Sequence, residues 1–77
     1  MVIKIGESIR IVNVMQDKAS YPLYQIQELA TSTLWFSWGG YYSELSNAVR
    51  EVEQVLHVKV IAKYSPAPVM EYEMKDI

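Results

Sequence analysis

Alternation of apolar and polar positions organises the first half of the chain. From Ser8 to Met15, Ile9, Ile11, Asn13 and Met15 fall on one side, with Arg10, Val12 and Val14 on the other. This β-branched segment predicts a strand. The polar stretch Gln16 to Ser20 breaks it, and Tyr21 to Leu29 predicts a returning strand, with Pro22 tolerated near its start. The two make a hairpin. After Ala30-Thr31-Ser32, the segment Thr33 to Trp38 predicts a third strand with Leu34, Phe36 and Trp38 on one side and Trp35 on the other. Gly39-Gly40 ends it, a pair suited to a sharp turn into a helix because glycine accepts positive φ.

The period then changes from two to 3.6. Leu45, Ala48, Val49, Val52, Val55 and Leu56 recur at helical spacing, so Glu44 to Leu56 predicts an amphipathic helix, capped by Ser43 and carrying Glu44 in its first turn. From His57 to Tyr64, alternation favours a strand. No Gly stops the helix there, however, and Val60 would also extend its stripe. Ser65-Pro66-Ala67-Pro68 breaks any regular element, and Val69 to Lys75 reads as an edge strand with charged Glu71, Glu73 and Lys75 facing outward. The predicted class is α+β, a small antiparallel sheet of three to five strands with one amphipathic helix packed on one face.

Length changes the picture by setting how this sheet can be stabilised. The 77 residues suffice for a single domain covering residues 1–77, and 51% hydrophobic residues mark it as globular rather than disordered. With no Cys, neither disulfides nor a thiolate metal site can reinforce so small a core, so aromatic packing or self-association must do so. A homodimer is expected on this ground. Apolar runs are too short to span a bilayer, and the start lacks the apolar stretch of a secretory signal, so a cytoplasmic protein without a membrane segment is expected.

Candidate chemistry is sparse. The one imidazole, His57, falls at the predicted helix end, where interaction with free carbonyls accounts for it better than catalysis or metal binding. One His, no Cys and dispersed acids assemble neither a nucleophile–base pair nor a metal site. Gly39-Gly40 lacks the surroundings of a phosphate loop. The expectation is therefore no enzyme, no cofactor and no metal.

Aromatic residues carry the functional signal. Trp35, Phe36, Trp38, Tyr41 and Tyr42 lie within eight residues, and adjacent strand positions force Trp35 and Phe36 to opposite sides of the sheet. A helix on one face covers only one of them; the other meets solvent, the tail, a second subunit or a partner. Net charge is −2 with the cations spread out, which argues against nucleic acid. The second half holds six acids against four bases, and an acidic edge there could imitate a phosphate backbone, although a solvated face is the ordinary use of such charges. The candidate partner-binding residues are Trp35, Trp38, Tyr41, Tyr42, Glu71 and Glu73.

The stretch Trp38-Gly39-Gly40-Tyr41-Tyr42-Ser43-Glu44-Leu45-Ser46-Asn47-Ala48-Val49 resembles a pattern of small hypothetical proteins of phages and prophages. In these, a strand hairpin precedes a G-Y-Y-S/P-x-L-x-x-A-L segment. The order of elements from Ile9 to Leu56 is similar, but the Lys-rich loop usual before the third strand is missing, since Glu28 to Thr33 contains no basic residue. The resemblance implies a phage or mobile-element origin, and the family has no assigned catalytic residues to carry over. The expected function is a non-catalytic protein-binding module, a phage-type inhibitor or modulator of a host enzyme or defence system. The alternative is a single-stranded nucleic-acid-binding accessory protein of phage replication or recombination.

Overall fold

The computed structural model describes residues 2–15, 20–63 and 70–76. Strands β1 (Val2–Ile5), β2 (Ile9–Asn13), β3 (Tyr24–Leu29) and β4 (Trp35–Ser37) precede helix α1 (Leu45–Leu56), and β5 (Val58–Lys63) and β6 (Met70–Asp76) follow it. The class is α+β, with one helix on one face of a sheet. Its details differ from expectation: six strands lie in the order β4-β3-β2-β1-β6-β5, and β1 pairs with β6 in parallel while every other pair is antiparallel.

Two differences explain this mixed sheet. Val2-Ile3-Lys4-Ile5 is a strand that was not anticipated, and it supplies the surface on which β6 docks. Consequently β6 is interior, between β1 and β5, rather than an edge. Its charged positions lie on an open sheet face and do not guard an edge. The expected breaks at Gln16 to Ala19 and at Ser65 to Pro68, and the strand ends Tyr64 and Val69, lie outside the described residues.

Strand register concentrates the core. Ile3 lies opposite Ile11, Ile5 opposite Ile9, and Ile11 opposite Ile26, so five isoleucines from three neighbouring strands share one face. All five are buried, together with Ala48 and Val52 of α1. Each isoleucine, and Val52, contributes roughly 1.5–3 kcal/mol by leaving water, and Ala48 lets the helix backbone approach the sheet closely. Asn13 continues this face and is also buried; its Oδ1 accepts from the backbone N–H groups of Met15 (3.1 Å) and Leu23 (3.3 Å), holding the exit of β2 against the entry of β3.

Around α1 the expectation was right in its extent and wrong in its caps. Glu44, with extended backbone, occupies the N-cap position without a side-chain hydrogen bond, and Ser43 lies outside the helix. At the other end no glycine is needed, because His57 itself adopts the left-handed conformation (φ 54°) and donates its backbone N–H to the Glu53 carbonyl. Histidine is among the residues that accept this conformation more readily than most. Val58 can therefore start a strand immediately, with its register supported by the Val60 N–H donating to Glu53 Oε2 at 3.0 Å. The predicted stripe is buried at Ala48 and Val52 and half-buried at Leu45 and Val49, whereas Val55 and Leu56 are exposed. The helix packs on β3 and β5, and β5 is an edge strand, so the last turn has no further strand to cover it. Among the described residues, no helix is long and apolar enough to cross a membrane.

Candidate binding surface

The aromatic segment follows β3 for its whole length. Trp35, Phe36 and Ser37 pair with Leu29, Glu28 and Gln27, and the Trp38 N–H then donates to the Ile26 carbonyl at 3.0 Å. Gly39 and Gly40 follow with φ of 86° and 76°, and beyond them Tyr42 returns to β3 through two backbone hydrogen bonds with Tyr24. No atom lies within 4 Å of where a Cβ would stand on either glycine, so it is the backbone conformation that requires glycine. The pair thus forms a bulge along the sheet edge, separated by three residues from the helix N-cap, and not the strand-to-helix turn itself.

Alternation sorts the six expected contact residues. Trp38 and Tyr42 lie on the helix side, half-buried against the isoleucine core beside Tyr24, Leu45 and Val49. The Trp38 indole N–H donates to Glu28 Oε1 at 2.9 Å. Burial, with the Glu51 carboxylate as a second cause, raises the Tyr42 hydroxyl above the ordinary tyrosine pKa. Tyr41 is exposed. Trp35, Glu71 and Glu73 belong to the opposite, helix-free face, but Trp35 is on β4 and the two glutamates are on β6, four strands away. At roughly 4.8 Å per strand they form no single site. Glu73 instead meets Lys75 on its own strand at 3.8 Å, an exposed pair worth little.

Two surfaces result. Around β4, Leu34, Phe36 and Tyr41 expose 58%, 47% and 59% of their area, all from one short segment at the sheet edge. The helix-free face mixes charged and amide side chains with Val2, Val12, Leu29 and Ile61, and at its centre Arg10 reaches from β2 over β3 to lay its guanidinium on the Trp35 ring, 4.1 Å from the ring centroid. Its Nε donates to Gln27 Oε1 at 2.6 Å, and Gln27 Nε2 donates to Gln25 Oε1 at 2.9 Å. Arg10 and Gln27 were not among the expected contact residues. The available signal was their position on the Trp35 side of the alternation, but the connection needs the β2–β3–β4 register.

Elsewhere, Arg50, Glu53, Gln54, His57, Val58 and Lys59 line a shallow groove of about 490 Å³ beside the helix C-terminus. Among the described residues, no three of the His, Asp and Glu side chains gather into a cluster that could hold a metal ion. No family model, curated protein or solved structure matches this chain.

Proposed function

We propose that the protein is a non-catalytic protein-binding module whose contact surface is centred on β4. The observation that supports this reading is the exposure of Leu34, Phe36 and Tyr41 together at the sheet edge, outside the core that holds the fold. Large apolar side chains displayed in this way anchor protein interfaces through desolvation, while half-buried Trp38 and Tyr42 behind them give a firm backing. The short β4, with the Gly39-Gly40 bulge beyond it, also limits continuous backbone pairing, leaving side chains to provide specificity. In the reading extended by the phage resemblance, the partner is a host enzyme or defence protein that the module inhibits or modulates.

The test is capture of partners on immobilised protein, with and without nuclease, using the parent and the Phe36→Ala and Tyr41→Ala variants. Stoichiometric retention of one protein, insensitive to nuclease and weakened at least about tenfold by either substitution, supports the reading; a hot-spot anchor contributes roughly 2 kcal/mol or more. Recovery of nuclease-sensitive nucleic acid alone would replace it with the single-stranded nucleic-acid reading. A homodimer through the same rim belongs to this proposal as well. Sedimentation equilibrium that returns only the 8.9 kDa species would remove that part of it.

A further inference from the structure

We propose that the helix-free face carries a carboxylate-recognition site, built from Arg10 held on Trp35, that takes an acidic segment of the protein partner. The inference rests on the protein-binding reading and names the chemistry of what is bound. Three observations carry it.

First, the Arg10 guanidinium is held before any ligand arrives. One side stacks on Trp35 at 4.1 Å, and Nε is engaged by Gln27, itself steadied by Gln25. Its terminal amino groups make no hydrogen bond among the described residues. These are the donors that form the fork complementary to a carboxylate, and the ordering that a flexible arginine would undergo on binding is already in place.

Second, Lys4 lies directly opposite Arg10 in the β1–β2 ladder, on the same face. The Arg10 side chain leans the other way, over β3 toward Trp35. Among the described residues the sole ion pair is Lys75 with Glu73; Lys4 faces Glu71 across the β1–β6 ladder, whereas Arg10, between Lys4 and Gln27, has no carboxylate as a register neighbour.

Third, the surroundings select the kind of anion. Glu71 is the β6 register partner of Lys4, and Glu73 and Lys75 follow on the same face, so the charge beyond Lys4 is mixed and carboxylates come first. A phosphodiester chain crossing the sheet would set its next phosphates above these carboxylates. One or two carboxylates of a peptide fit at Arg10 without reaching them, and the flat Trp35 ring shields the guanidinium from water on one side.

The experiment follows the Trp35 indole and Arg10 Nε–H signals of isotope-labelled protein by NMR. The probes are a blocked tetrapeptide of alternating aspartate and glutamate, its asparagine/glutamine counterpart and a short single-stranded oligothymidylate. The expected result is a saturable shift with the acidic peptide only, weakened at least tenfold in Arg10→Gln and Arg10→Lys. The spectrum of each variant reports whether it is folded, and Arg10→Lys retains the charge while losing fork and stack. No saturable shift in the parent, an equal shift in folded Arg10→Lys, or tighter, steeply salt-dependent binding of the oligonucleotide would each overturn the proposal. Failure here with partner capture still dependent on Phe36 leaves the protein-binding reading standing. Failure of capture removes that reading directly.

Discussion

The two faces of the sheet are made by alternate residues of the same strands, yet they divide the work of the molecule. On the helix side, Ile3, Ile5, Ile9, Ile11 and Ile26 meet Ala48 and Val52 with essentially no exposure. On the other side, the intervening positions include Lys4, Arg10, Gln25, Gln27 and Glu71, all in contact with solvent to some degree. The first face is stabilised by removal from water, and changes there alter folding. The second is tied by one stack and two side-chain hydrogen bonds, and its residues are available for recognition.

Adjacent positions on β2 give the severest challenge to this division. Ile11→Ala should cost ~2–5 kcal/mol because it opens a cavity in the centre of the core. Arg10→Ala, one residue away, should cost no more than about 1–2 kcal/mol, the scale of one exposed cation–π contact and one hydrogen bond. Urea titration of both decides it; a larger loss at Arg10 would mean that the open face holds the fold. Asn13 sharpens the same comparison as the polar member of the buried face. Asn13→Ala leaves the Met15 and Leu23 N–H groups without their acceptor and should cost about 1–3 kcal/mol. An unchanged midpoint would show that water replaces it.

The helix offers a smaller contrast of the same kind. Val52→Ala removes about two buried methylene equivalents, about 1.6 kcal/mol, whereas Val55→Ala, at a position 51% exposed, should stay within about 0.5 kcal/mol. Equal effects would show that the last helical turn is covered in solution, by a second copy or by another segment. The slightest effect belongs to Tyr42. Its raised pKa means that the folded state retains this proton to higher pH than the unfolded chain, so the associated stability is complete below the ordinary value of 10.0 and is lost as pH rises through the raised value. Tyr42→Phe should therefore show a flatter alkaline decline than the parent in parallel urea titrations; identical slopes would mean that the shift contributes nothing.

Much of this division was legible from periodicity. Ile9, Ile11 and Asn13 were assigned to one side of their strand and Arg10 to the other, Trp35 and Phe36 were separated, and the helix was placed to within a residue. What escaped is what periodicity does not encode. Val2 to Ile5 is too short to stand out until β6 lies against it, and parallel pairing between segments far apart in the chain leaves no local mark. The expectation for Ser43 relied on residue preference, but the chain enters the helix through Glu44; a glycine stop was sought where His57 takes the left-handed conformation. At the surface, Trp35 was visible by type. Arg10 was not, since its meeting with Trp35 depends on a side chain crossing β3.

The parallel ladder between β1 and β6 also governs the order of events in folding. Ile3 pairs with Met70, and Ile5 with Tyr72, across nearly the whole length of the chain. The β1–β2 and β2–β3 pairings, by contrast, join neighbouring strands. Closing so long a loop is an entropic cost met before its contacts form, and such non-local pairings slow folding. The β1–β2–β3 meander can assemble as a local nucleus, while the β5–β6 hairpin docks late, completing the second flank of β1. Its arrival should set the observed folding rate, so substitutions at Ile5 that weaken the β1–β6 seam should slow refolding more than those at Val55 on the exposed helical turn.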